Sequence, residues 1–135
     1  MTTLSVGDSA GPNASTDIRN DVNNFTFATP RAVQDVTGVD KAAIERLLLL
    51  ADFSCTFNMV FNATGSHLIF STVPSTSVAR CVLMTVNGKN LNMGSTGAGN
   101  GAVLFTDYQV TRPATGELTT AAPGVLSNGS VPTWS

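Results

Sequence analysis

The sequence predicts a mainly β domain, a β-sandwich or small barrel with one flanking α-helix, and three observations lead there. Residues 53–61 alternate, with Phe53, Cys55, Phe57, Met59 and Phe61 on one side and Ser54, Thr56, Asn58 and Val60 on the other. Asn87-Gly88 between two apolar runs is a strong signal for a tight hairpin. Only residues 40–51 have the composition and spacing of a full helix.

Taken in order, residues 1–24 are polar, contain Gly7, Gly11 and Pro12, and show no period that would bury one face, so they read as an N-terminal arm. Residues 25–135 then form the single β-rich domain. Phe25-Thr26-Phe27-Ala28-Thr29 alternates large and small residues up to Pro30 and predicts a short strand. Asp40 is placed to cap a helix through Ala51, with Ile44, Leu47, Leu48 and Ala51 on one face and Leu49 and Leu50 widening the stripe. The strand at 53–61 follows, then a turn at 62–66, and 66–72 fits either a helical turn or a short strand. Val78–Val86 is a strand with apolar residues on both faces, and Asn87-Gly88 turns it into Leu91-Asn92-Met93. Residues 94–101 hold four glycines and read as a mobile loop. Ala102–Thr111 and Leu118–Ala122 complete about six or seven strands. Trp134, near the end of the tail, is expected to fold back into its own core or to dock on a neighbouring copy, because a ring that large is costly to leave in water.

With 135 residues the chain is long enough for one core and too short for a second domain of ordinary size. Charged residues are only 12%, against about 25% in an ordinary domain. The formal net charge is −2. A surface covered mainly by Ser, Thr, Asn, Gly and Ala, with little mutual repulsion, suits a subunit whose surface meets more protein. The start lacks a basic segment followed by a long apolar run, so no signal peptide is expected, and Leu47–Ala51 is too short to cross a bilayer. Synthesis in a cytosol is expected, and there Cys55 and Cys81 are most simply buried thiols.

No catalytic, cofactor-binding or metal-binding residue is assigned. His67 is the only histidine, which removes most zinc, acid–base and triad arrangements. A Cys55/His67 nucleophile pair is conceivable, but both stand where structural residues are expected. The glycine-rich segment lacks the Lys-Ser or Lys-Thr of a phosphate loop. Arg19, Arg31, Lys41, Arg46, Arg80, Lys89 and Arg112 are scattered singly, so no basic patch for nucleic acid is present.

Three stretches carry a resemblance: Val36–Phe53; Phe105-Thr106-Asp107-Tyr108 ahead of Thr111-Arg112-Pro113-Ala114-Thr115-Gly116; and Gly129-Ser130-Val131-Pro132-Thr133-Trp134. Together with Ser71-Thr72-Val73-Pro74, they make the chain resemble the major tail tube proteins of long-tailed (siphovirus-type) bacteriophages that infect actinobacteria. The resemblance implies a tail-tube-like fold and no cofactor. It also implies six-subunit rings stacked into the tube that delivers the genome, located in the virion tail after assembly in the host cytoplasm. Partners would be other copies of the chain, the tail terminator, tape measure and distal tail proteins, and double-stranded DNA passing without specific binding; no membrane is involved. It further implies that Asp40–Ala51 is the flanking helix, that paired strands beginning near Phe53 and Val78 form the inner wall, and that residues 1–24 and 94–101 are candidates for contacts between rings. The family places its longest inter-ring loop between early strands, and here the segment before Asp40 is modest.

Other classes fit the residues alone. A capsid decoration, connector or tail terminator protein would form a trimer or a single ring, and a carbohydrate-binding β-sandwich would show aromatic residues around a groove. An enzyme would need clustered Asp, Glu, Ser or Thr residues that sequence order does not reveal.

Overall fold

Alternation at period two turns into a sheet with one buried face wherever a second layer is available to cover it. The structure is a computed structural model that describes residues 3–7, 16–93, 102–127 and 133–135. Among them the chain forms, in order, β1 (Thr3–Val6), β2 (Thr16–Asp17), β3 (Val22–Ala28), β4 (Arg31–Asp35), β5 (Arg46–Ala51), β6 (Ser54–Val60), α1 (Ser66–Phe70), β7 (Val82–Val86), β8 (Lys89–Met93), β9 (Val103–Phe105), β10 (Gln109–Thr111), β11 (Thr119–Leu126) and β12 (Thr133–Trp134).

Two antiparallel sheets pack face to face. The first runs β12-β8-β7-β1-β2; the second runs β10-β11-β6-β3, with β9 also pairing β11. Leu4, Val6, Val82, Met84, Leu91 and Met93 of the first sheet share one buried cluster with Cys55, Phe57, Met59, Val103 and Ala122 of the second. Ring centroids lie 5.7 Å apart for Phe27 and Phe57, 6.0 Å for Phe57 and Phe105, and 4.9 Å for Phe70 and Phe105. Offset and edge-on aromatic pairs of this kind add to area burial.

The Asn87-Gly88 turn stands as the sequence predicts. Both residues have positive φ, 48° and 77°, which matches the twist of the β7–β8 hairpin and explains the dipeptide. The helix α1 takes one of the two forms open for residues 66–72. The Asp21 carboxylate holds its start by accepting from the Asn62 amide at 2.9 Å and the Ser66 backbone N–H at 3.0 Å. At its other end Arg80 is buried, donating to the Ile69 carbonyl and to Thr72 Oγ1. A charged donor there meets carbonyls that the short helix leaves without partners of its own.

Four expectations are corrected. The helix over 40–51 does not form: residues 36–45 turn back, and Arg46–Ala51 is a strand paired with β4 through Asp35↔Arg46, Gln34↔Leu47, Val33↔Leu48 and Arg31↔Ala51. Helices draw most of their stability from burying an apolar face, and no core lies beside Leu47, Leu48 or Leu50, all of them exposed. The N-terminal arm is corrected in its described parts: β1 pairs with both β2 and β7, and Leu4, Val6 and Ile18 are in the core. The rest of that arm, residues 1–2 and 8–15, lies outside the described residues, as does the glycine-rich loop 94–101. The strands near Phe53 and Val78 do not pair as an inner wall, since β6 and β7 belong to different sheets. Finally, the tail does return, with Trp134 opposite Leu91, but its side chain is 57% exposed instead of entering the core. The expected strand 102–111 is present as two pieces, β9 and β10, both on β11.

Candidate assembly surfaces

The β4–β5 hairpin belongs to neither packed sheet and is paired only within itself. It continues the β3–β6 ladder, to which it is joined by the Asp52 N–H donating to the Pro30 carbonyl at 2.9 Å. Arg31 Nε donates across the hairpin to the Leu49 carbonyl at 2.8 Å. Near its far end Thr37 is the tie: its amide donates to Asp35 Oδ1 at 2.9 Å, its hydroxyl donates to the same oxygen, and the hydroxyl accepts from the Glu45 amide at 2.8 Å. These bonds from Thr37 favour the charged form and hold the Asp35 carboxyl below the ordinary carboxylate value. The Lys41–Glu45 pair at 3.3 Å is exposed and adds little to stability.

Beside these polar and charged groups the hairpin presents many apolar side chains. Val33, Val36, Val39, Ile44, Leu47 and Leu48 are exposed, and Leu50 is 91% exposed. An open depression on it is lined by Arg31, Ala32, Leu48, Leu49 and Leu50. Clustered apolar exposure of this kind marks a surface that another molecule covers. The sequence signal for it was the unbroken Leu47–Leu50 run, which leaves apolar side chains on both faces of a strand.

A second surface is the outward face of the β10-β11-β6-β3 sheet. On β6 the buried residues are Cys55, Phe57 and Met59, so Ser54, Thr56, Asn58 and Val60 face away from the core. Directly opposite them on β3 stand Ala28, Thr26 and Asn24. On β11 the opposite residues are Val125, Pro123, Ala121 and Thr119. Gln109 and Thr111 extend the rows onto β10. None of these positions is ionisable.

Among the described residues no side-chain group suited to catalysis comes together. His67 Nδ1 is 3.0 Å from the Tyr108 hydroxyl, and its ring centroid is 4.7 Å from that of Phe61. Cys55 packs instead beside Gly124, and burial pushes its thiol up to about 12, the opposite of what a nucleophile needs. Cys55 and Cys81 are both buried and not joined in a disulfide. Among the described residues no group of three or more His, Cys, Asp or Glu side chains could hold a metal ion, and no helix is long and apolar enough to cross a membrane.

No protein-family model matches the chain, and no curated protein matches it in sequence. Solved structures do match in fold. A chain of "Tail of empty GTA particle computed with helical refinement, C6 symmetry" superposes with a TM-score of 0.72 at 13% identity, over 98% of this chain and 93% of that one. A chain of "Virion of native gene transfer agent (GTA) particle" superposes with a TM-score of 0.70 at 12% identity, over 97% of this chain and 95% of that one. The chain therefore has, over nearly its whole length, a mainly β fold found in gene transfer agent tail structures.

Proposed function

We propose that the chain is a structural subunit that closes into six-membered rings and stacks them into a tail tube, the conduit through which a phage-like particle delivers its genome. The observation that carries this reading is the apolar β4–β5 hairpin, standing clear of the core in a fold shared with a chain from a C6-symmetric tail. At about 3.3 Å per residue the five residues of β4 carry the β3–β6 ladder roughly 17 Å further. That reach suits contact with a copy in the next ring, and Leu47, Leu48 and Leu50 supply the surface to be buried there. The hairpin thus takes the inter-ring role for which residues 1–24 and 94–101 were candidates.

The sequence patterns at Phe105–Tyr108, Thr111–Gly116 and Gly129–Trp134 support a finer placement among long-tailed actinobacteriophages. Residence in the virion tail after assembly in host cytoplasm belongs to the same proposal. So do tail terminator, tape measure and distal tail proteins as partners, duplex DNA as passing cargo, and a role without catalysis. Negative-stain electron microscopy of the purified protein, beside its mass in solution, tests the core of it. Long hollow tubes or stacked rings are expected. A single ring or trimer would point to a terminator, connector or decoration role, and a strict monomer at high concentration to a binding module.

A further inference from the structure

Trp134, the only tryptophan, has its backbone fixed and its ring left out. The Ser135 N–H donates to the Asn90 carbonyl at 2.9 Å, and the Asn90 N–H donates to the Ser135 carbonyl at 3.1 Å. Register sets Trp134 opposite Leu91. Residues directly opposite in an antiparallel pair share a face, and Leu91 is buried, so Trp134 stands on the core side of the first sheet. It is nevertheless 57% exposed and outside the buried cluster. Every Phe and Tyr108 is buried or half-buried, which makes Trp134 the one exposed aromatic residue of the chain. An aromatic side chain can bury about 150–250 Å², and here most of that is presented at a defined place on the surface.

The β4–β5 hairpin offers a counterpart. Its open depression has a volume of about 640 Å³, inside the range of roughly 300–1,000 Å³ found for ligand sites. Ala32, Leu48, Leu49 and Leu50 line it with apolar groups, and Arg31 is its one charged residue. The bond from Arg31 Nε to the Leu49 carbonyl holds the guanidinium there. An aliphatic side chain would answer the leucines alone, and a carboxylate the cation alone. An indole, apolar with an electron-rich face, answers both. Trp134 does not line the depression of its own copy. Resting on the self-assembly proposed above, we infer that Trp134 of one copy docks in the Arg31, Ala32, Leu48, Leu49 and Leu50 depression of the next. Ring and depression are different patches, so the contact is heterologous: each copy gives its ring to one neighbour and receives the ring of another.

Tryptophan fluorescence of the unmodified protein tests the docking directly, because a single residue supplies the signal. In the free subunit the emission should be red-shifted and open to quenching by acrylamide; in tubes it should shift to the blue and be quenched several-fold less. Trp134→Ala should raise the concentration at which tubes appear by about tenfold or more, as loss of an aromatic interface anchor does. A double-mutant cycle with Leu50→Thr, a change in the wall of the depression, then assigns the contact. With the ring seated there the two effects do not multiply, and the double variant rises little beyond Trp134→Ala. Should Trp134→Ala form no tubes at any concentration, Trp134→Phe carries the cycle. Tubes in which Trp134 stays as open to acrylamide as in the free subunit overturn the inference. So do an unchanged threshold for Trp134→Ala and a cycle whose two factors multiply, and each of these leaves the tube reading standing. A protein that stays monomeric at every concentration refutes that reading, and this inference with it. A single closed ring with the same protection and coupling refutes the stacking alone and supports the contact.

Discussion

Replacing Leu50 by Thr separates assembly from folding. Leu50 is 91% exposed on β5, so the subunit gains almost nothing from its side chain, and Thr keeps the preference for extended backbone. In the proposed tube the same side chain would be buried against another copy. Burying a leucine stabilises by about 1.5–3 kcal/mol, and the two or so methylene equivalents that Thr lacks account for roughly 1.5 kcal/mol of it. At about 1.4 kcal/mol per tenfold, each subunit addition weakens by roughly tenfold or somewhat more. The concentration above which tubes appear, followed by light scattering and sedimentation, should rise by that factor. The free subunit's unfolding free energy should stay within about 0.5 kcal/mol, as for surface substitutions generally. An unchanged threshold for tube formation would show that the hairpin is not the contact between copies. A large loss of subunit stability would show that Leu50 packs within its own chain.

Arg80→Ala should cost about 2–4 kcal/mol in urea unfolding, because it strips a buried charged donor from the Ile69 carbonyl and Thr72 hydroxyl and leaves a cavity. Gly124→Ala should destabilise by about 1–3 kcal/mol through overpacking, since an added Cβ would sit 2.8 Å from Val103 Cγ1 and 3.0 Å from Cys55 Sγ. The Cys55 thiol, whose ordinary value of 9.0 burial raises to about 12, favours the fold fully below pH 9 and progressively less from there to about 12, because the unfolded chain loses its proton first. Urea midpoints should therefore fall across that alkaline window, and a Cys55→Ala variant should remove that part of the slope; an identical slope in the variant would assign it to other groups.

How far the sequence was legible depended on whether a segment's partner was local in kind. The alternation of 53–61 reads correctly because a half-buried strand needs only one covered face, and β6 has Cys55, Phe57 and Met59 inside with Ser54, Thr56 and Asn58 outside. Asn87-Gly88 reads correctly because the positive φ values are a property of those two residues. The first strand was missed although Leu4 and Val6 alternate with Thr3 and Ser5; four residues are too few to register as a period, and their partner, β7, lies nearly eighty residues on. The neutral outward face could not be read at all until the register put Asn24 opposite Asn58 and Thr26 opposite Thr56.

The Leu47–Leu50 error has a different origin. Lys41 through Leu50 is rich in strong helix formers, and propensity alone favours a helix. Yet a helix with leucine on more than one side needs cover on more than one side, and in this subunit Leu47, Leu48 and Leu50 are all exposed. A strand has a cheaper arrangement: β4 pairs one edge of its backbone, and both of its faces remain available to whatever lies outside the chain. An unbroken apolar run is the usual pattern of a strand buried on both faces, so Arg46–Ala51 carries the sequence of an interior strand while standing in the open. That mismatch between pattern and exposure vanishes once the run is covered, and under the proposed function a second copy of this chain is the cover to test first.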